Sequence, residues 1–310
     1  MASQDAAPVS ILDYLRSKTS IDYDSLDLDG RKNLSSGLWE AYLQLSNPQN
    51  AVVVQESVEL AHKLEREFGG VSVNELAVEI AMNKLALRVI PLISGSIHVM
   101  CNPLYAWDSE KVYETGHRFH KICRLLEPDF DLSRLVMKVP STWHGLQACK
   151  RLKTDNIKTL ATTLFTMEQV VLAGEVGCTY HDPAPIHALV AQAQRYYKDH
   201  NVPTKVKACA FMTTSEIISF AGVDAMTIPA ETLQDLASTH APPGIESQSV
   251  FAGDKNGLKR SERLSFVDDG QKFLRAFATN GRGKAKTEDA IAVFCGFQVE
   301  AEALVASVQV

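Results

Sequence analysis

No apolar run in this 310-residue chain approaches the ~20 residues that a membrane-spanning helix needs. The opening segment, MASQDAAPVSIL, lacks the positive stretch and long apolar core of a secretory signal. Cysteine is sparse: positions 101, 123, 149, 178, 209 and 295 include no Cys-x-x-Cys spacing. Several lie inside apolar runs, as reduced buried thiols do, so a disulfide scaffold is not expected. Basic residues do not dominate, with 31 Lys and Arg against 37 Asp and Glu, and the net charge of −6 is spread without a basic stripe. Neither nucleic acid nor an anionic membrane surface is therefore an expected partner. A cytoplasmic location is the expectation these absences share.

What is present is ordinary globular composition, 45 % hydrophobic and 22 % charged. The length suits two small domains or one large barrel. Apolar residues at three- and four-residue spacing predict helices over 56–68, 73–90, 109–126, 143–152, 167–175, 186–200 and 215–221. Between them, β-type runs fall at 19–24, 90–101, 135–140, 157–165, 178–183, 205–211 and 225–230, with a weak, polar eighth within 31–38. Strands spaced by helices and buried on both faces read as parallel βαβ units. No Gly-x-Gly-x-x-Gly follows the first strand. The pattern therefore favours an α/β fold, a single (β/α)8 TIM barrel with additional N- and C-terminal helices, over a dinucleotide-binding fold.

Residues 1–310 read as one barrel domain, with a C-terminal helical extension over about 260–310. There a Pro-, Gly- and Ser-rich loop (242–259) precedes helices around 268–278 and 287–307. The stretch NGRGKAK (280–286) looks like a phosphate loop but lacks the preceding strand and the Walker spacing, so it is read as a helix-ending turn.

The run LVMKVP (135–140) carries a lysine among apolar residues. Alternate side chains of a barrel strand point inward, so Val136, Lys138 and Pro140 share one face and Leu135, Met137 and Val139 the other. The second set is wholly apolar, as packing against helices requires. An inward Lys138 near the C-terminal end of its strand lies where barrel active sites form. Desolvation there favours the free amine, a nucleophile toward carbonyl carbon. The bland alternative is a strand-end lysine that reaches solvent or pairs with an acid. The same parity groups Asp22 with Asp24, an ion-pair partner or an acid/base for that lysine. It also groups His98 with Met100 and Asn102, Thr162 with Leu160 and Leu164, and Tyr180 with Asp182. His117 and His120 accompany Arg118 and Lys121 on one helix and read as a solvated face, while His62, His144, His200 and His240 share no spacing. No metal site is expected.

The block MKVPSTWHGLQACKRL, followed by IKTLATTLFTMEQVVLAGEVGCTYHDP, resembles the transaldolase family. Its members carry a Lys-apolar-x-Ser-Thr-Trp-x-Gly strand-to-helix motif. A Thr-Leu-Phe-Ser-x-x-Gln-Ala stretch follows, ending in Glu-Ala-Gly, and then Ser-Pro-Phe. The resemblance is dense over 132–183 and stays in register through 210–236, and SIDYDSLD is similar to the family's first-strand Asp-Thr-x-Asp. It implies a class I aldolase-type barrel that moves a three-carbon dihydroxyacetone unit from a ketose phosphate to an aldose phosphate through a lysine Schiff base, without cofactor or metal. With the long C-terminal helices, it also points to a homodimer.

Carried over by position, the resemblance puts Lys138 at the Schiff-base lysine and Asp24 at the aspartate that handles protons of the substrate hydroxyls. Thr162 falls at the threonine near the catalytic water and Phe165 at the phenylalanine of that stretch. The family's third-strand glutamate falls at Met100, its second-strand asparagine at Ser36 and its sixth-strand serine at Asp182. The two arginines that hold substrate phosphate fall at His187 and Met212. A phosphate dianion needs charge-assisted donors that Met cannot supply and His supplies only in part. Losing the glutamate removes a general base worth typically 10²–10⁴-fold. Asp182, or His98 one step deeper, could restore it.

The residues thus point to a transaldolase-like, Schiff-base-forming enzyme that makes, breaks or transfers a carbon–carbon bond next to a carbonyl. Its expected partner is a small carbonyl compound lacking the usual sugar phosphate, as in specialised metabolism. An authentic pentose-phosphate transaldolase stays open. So does a barrel that has lost catalysis and serves as a binding or scaffold protein, although the joint presence of Lys138 and Asp24 speaks against it.

Overall fold

The structure is a computed structural model that describes residues 9–23, 34–35, 38–183, 187–252 and 260–309. Its strands are β1 Ser20–Tyr23, β2 Leu34–Ser35, β3 Ile97–Met100, β4 Leu135–Pro140, β5 Lys158–Leu164, β6 Tyr180–Pro183, β7 Lys205–Ala208 and β8 Ala225–Ile228. Each pairs in parallel with the next, and β8 pairs back with β1. Seven of them, of four to seven residues, form the curled sheet. The two-residue β2 bridges β1 and β3 through Tyr23↔Leu34, Leu34↔Ile97 and Ser35↔His98, so the pairing is short there.

Four helices, α1 Ile11–Arg16, α2 Leu38–Ser46, α3 Ala51–Leu64 and α4 Val73–Val89, precede β3 or flank β1. Then α5 Ser109–Leu126, α6 Trp143–Thr154, α7 Met167–Glu175, α8 His187–His200 and α9 Thr214–Ser219 alternate with the strands. After β8 come α10 Ala230–Ser238, α11 Gly270–Thr279 and α12 Gly281–Ala306. No helix among the described residues is long and apolar enough to cross a membrane.

The helix starts are written in the sequence. Ser72, Asp108, Thr142, Thr166, Thr213 and Asn280 each cap a following helix through a side-chain oxygen that accepts from a backbone N–H. At Thr166 the cap is reciprocal, because Gln169 accepts in turn from the Thr166 backbone. Leu135, Met137 and Val139 join the hydrophobic core, as their strand parity requires.

Three expectations are corrected. The run 90–101 is not one strand: Ile90–Leu92 is a 3₁₀ turn and only Ile97–Met100 joins the sheet, because Gly95 and its neighbours break the extended chain. The stretch 280–286 does more than end a helix: Asn280 closes α11 and also caps α12, which starts at Gly281, with Gly283 seated against Thr166. Arg118 does not belong to a solvated face. Its guanidinium is buried on two oxygens of Glu79 and beside Glu75, both from α4. Sequence spacing had no signal for α1, α2 or α10, whose lengths of six to nine residues carry few turns of periodicity.

Candidate active site

β4 ends in a strand-to-helix turn whose residues are each fixed by packing. Thr142 caps α6 by accepting from Gly145 N–H at 2.9 Å, and its hydroxyl donates to the Ala106 carbonyl. Ser141 hydroxyl and N–H both reach the Thr162 carbonyl, at 2.7 and 2.8 Å, which ties the end of β4 to that of β5. Gly145 lies against the Pro140 carbonyl so closely that no side chain fits. Gln169 donates to the Ser141 carbonyl at 2.9 Å and to the Thr287 hydroxyl at 3.2 Å, fastening α12 to the same end of the barrel. Beside it Thr163 takes a left-handed backbone conformation, φ 54°, at an irregularity in the β5–β6 pairing. Such strain in a non-glycine residue concentrates at functional sites.

Lys138 lies on this strand with 8 % of its surface exposed, between Met100 on β3 and Leu160 on β5 in the ladder. Its ladder neighbours on both sides are apolar. Thr162, 6 % exposed, follows one strand over, paired with Pro140. Met100 is fully buried and offers no proton-transfer group.

Below Lys138 the structure assembles a polar layer. Lys207 on β7 forms a buried ion pair with Asp22 on β1. Its ammonium lies 3.4 Å from His98 Nδ1 and 4.2 Å from the centre of the Tyr180 ring. The His98 and Tyr180 rings are 5.8 Å apart. Burial, then the Lys207 and Lys138 ammoniums, hold the His98 imidazole well below its ordinary pKa, so it is neutral. Burial, then Asp22, pushes the Tyr180 phenol up.

The sequence-predicted residues divide as follows. Lys138, Thr162, His98 and Met100 all lie buried on strands of one barrel. Phe165 follows β5, half-buried, with the Lys286 ammonium of α12 5.9 Å from its ring centre. Met212 is 83 % exposed, at the entry to α9. Asp24 and Ser36 lie outside the described residues. Asp182 is on β6 and His187 opens α8, but their side chains lie outside the described part. Among the described residues no group of His, Cys, Asp and Glu is placed to hold a metal.

Sequence reasoning singled out neither Lys207 nor its partnership with Asp22. The parity test applied to β4 would have found it: in KVKAC, Lys205, Lys207 and Cys209 share a face opposite Val206 and Ala208. His181, by contrast, points out of the barrel against the Tyr197 ring at 5.0 Å and takes no part in the layer.

A parallel α/β barrel with a buried lysine near the C-terminal end of β4 is the architecture of a barrel aldolase. The transaldolase/fructose-6-phosphate aldolase family model matches residues 49–183 and 179–269, and the chain belongs to that family. It is similar to the transaldolase of Shewanella sp. (strain W3-18-1), with 26 % identity over 259 residues, 74 % of this chain and 79 % of the relative. The transaldolase of Shewanella sp. (strain MR-4) is 25 % identical over 293 residues, 83 % of this chain and 89 % of the relative.

Proposed function

We propose that this family member forms a Schiff base through Lys138 and makes, breaks or transfers a carbon–carbon bond next to the carbonyl of a small substrate that lacks the usual sugar phosphate. The observation that carries the reading is the setting of Lys138: a buried lysine on β4, between apolar ladder neighbours, that keeps 8 % of its surface open, whereas Lys207 is sealed at 1 %. A free amine adds to a carbonyl carbon and loses water, and the resulting iminium withdraws electrons from the adjacent carbon–carbon bond. Asp24 and Asp182 are assigned the proton transfers, Thr162 the orientation of water, and Ser36, His98, Met100 and Phe165 the walls of the site. Met212 and His187, where the family has arginines, leave phosphate without a bidentate partner.

The proposal extends to residues 1–310 as one barrel domain, a cytoplasmic location, a role in specialised metabolism and no nucleic-acid partner. It also includes a homodimer, which exposed Val293 and Val299 on α12 support.

A second reading, an authentic pentose-phosphate transaldolase, is favoured by one observation. The Lys286 ammonium near Phe165 brings a cation of α12 to the end of the barrel where the arginines are missing. Borohydride reduction in the presence of a panel of carbonyl compounds should add mass to the peptide containing Lys138. Trapping on a different lysine, or activity in Lys138→Ala unchanged from wild type, refutes the mechanism. Turnover of fructose 6-phosphate with erythrose 4-phosphate at the rate of an ordinary transaldolase refutes the phosphate-free substrate and favours the second reading.

A further inference from the structure

We propose that Gln169 is a positioning residue for the reaction: its buried side-chain amide clamps a strained bend at the end of β5 and so fixes Thr162 against the end of the lysine strand β4. The inference rests on the reading of Lys138 as the reacting amine.

The strand pairing shows the bend. Between β5 and β6 the pairs Ala161↔His181 and Leu164↔Pro183 span three steps on one strand and two on the other, so β5 carries one extra residue. Thr163 takes up the difference with φ 54°, and it is the one β-branched residue among the four described non-glycine residues with positive φ. Branching at Cβ makes the left-handed region costly, so the conformation persists only where its surroundings over-determine it. The bend resets the alternation of the strand. Ala161 and Leu164, three apart, both join the hydrophobic core, and Thr162 and Thr163 lie between them.

Gln169 supplies the surroundings. Its Oε1 accepts from the N–H groups of Phe165 at 2.9 Å and Thr166 at 3.1 Å, the two residues that follow β5. Its Nε2 donates to the Thr163 carbonyl at 3.3 Å, to the Ser141 carbonyl at 2.9 Å and to the Thr287 hydroxyl at 3.2 Å. Two donors facing the oxygen and two carbonyls facing the nitrogen fix which way the amide points. One side chain, 0 % exposed, thus holds the strained residue, the chain just after it, the end of β4 and α12. Sealed from solvent, each bond it gives up leaves a buried backbone group without a partner.

What the clamp positions lies one residue away. The Thr162 carbonyl accepts from both the N–H and the hydroxyl of Ser141, at 2.8 and 2.7 Å, and Thr162 pairs with Pro140 in the ladder. Ser141 is held in turn through its own carbonyl by Gln169. The ends of β4 and β5 are therefore one hydrogen-bonded unit that contains Thr162 and begins two residues after Lys138. The Thr163 hydroxyl has no hydrogen-bond partner among the described residues, so the bend is held by the Gln169 amide and not by the side chain of the strained residue. A regular strand with an apolar residue at 169 would fill this space without strain or buried polar groups. Strain of this kind clusters where reacting groups are set.

Gln169→Glu keeps the size and an acceptor oxygen but loses the donor to Ser141, Thr163 and Thr287. Thr163→Gly removes the penalty that the clamp opposes, since glycine takes φ 54° freely and other values as well. Both variants and their double variant are compared with wild type by urea unfolding and by borohydride trapping at Lys138 over a range of dihydroxyacetone, scored per folded molecule. The maximal trapping rate should fall about tenfold or more in Gln169→Glu and about threefold or more in Thr163→Gly, with the half-saturating concentration within about twofold of wild type. The double variant should be no slower than Gln169→Glu, because both changes undo one bend, and multiplied losses would overturn the clamp. A merely structural amide would lower the urea midpoint and leave the rate of folded molecules alone, and that result overturns the inference. If Gln169→Glu does not fold, the double variant, relieved of the strain, takes its place; if neither folds, Thr163→Gly decides. Limiting acetic anhydride with peptide mapping reads Lys138 where wild type is not trapped there: labelling that rises about threefold in the variants as the strand ends loosen keeps the clamp and refutes the Schiff-base reading, and labelling that stays put overturns both.

Discussion

Gly145→Ala tests whether the turn after β4 holds the lysine strand in place. A methyl group built on Gly145 falls under 3.0 Å from the Pro140 carbonyl oxygen, 3.1 Å from Val139 Cγ1 and 3.3 Å from Thr142 Oγ1. The first of these is backbone and cannot turn aside as a side chain could, so α6 or the end of β4 must move. Forced overpacking of this kind costs typically 1–3 kcal/mol, and a backbone clash belongs at the upper end. Alanine regains about 1 kcal/mol of helix propensity, leaving a net loss of about 2 kcal/mol. Gly296, inside α12 with nothing within 4 Å of an added methyl, is the internal control. There alanine should stabilise by about 0.5–1 kcal/mol. Urea unfolding should therefore separate the two variants by roughly 3 kcal/mol. Pro140 is two residues from Lys138 on one strand, so reductive trapping at Lys138 in folded Gly145→Ala should slow tenfold or more. Equal stability of the two variants, or trapping of Gly145→Ala at the wild-type rate, would refute the argument that this glycine fixes the strand end.

The pH dependence of folding has an identifiable contributor. Burial pushes the Glu79 carboxyl up to about 7 from its ordinary 4.5, ahead of the opposing pull of Arg118. Arg118 itself is held charged, and the pair's charge state is set by Glu79, the more deeply sealed at 1 % against 9 %. A carboxyl raised on folding lends stability fully below about pH 4.5 and loses it as pH rises through 7, a span of about 3 kcal/mol. The stability of wild type minus that of Glu79→Gln, measured by urea unfolding, should fall by that order between pH 4.5 and 8. A pH-independent difference would remove Glu79 from the account. Asp182→Asn keeps shape and removes basicity, so turnover of the substrate found by trapping should drop about 10²-fold with folding intact. Wild-type turnover in that variant would return the proton work to Asp24.

How much of this was legible in the sequence depends on the range of the interactions involved. β4 was read at its observed bounds of 135–140, and Lys138 placed opposite Leu135, Met137 and Val139, because period-two alternation is local. The caps at Thr142 and Thr166 are equally local. Lys207 was missed although it passes the same test, because KVK begins with an exposed lysine and reads as a strand edge in water. What keeps Lys207 buried is Asp22, 185 residues away in the chain. Arg118 failed for the same reason: its helix face looks solvated until Glu75 and Glu79 arrive from α4. The over-long strand at 90–101 has a different cause. Ile90, Leu92 and Ile93 are apolar because α4 continues into a 3₁₀ turn at the barrel's lower edge, and apolar content alone does not separate a turn from a strand.

The departures from the family motif and the polar layer bear on each other. Two arginines at the positions of His187 and Met212 would bring cations to the mouth of a phosphate-using barrel. Such cations help a nearby lysine lose its proton as well as hold the substrate. With Met212 there and turned to solvent, that position supplies no cation. Beneath Lys138 lies the Lys207–Asp22 pair beside His98, sealed from solvent. A scaffold protein has no use for this arrangement. The interior of a barrel fills well with Val, Ile and Leu, and a buried ion pair beside a neutral histidine is no more stable than that filling. A buried ion pair that packing does not require, one layer beneath Lys138, is therefore a stronger reason to expect chemistry inside this barrel than the fold by itself.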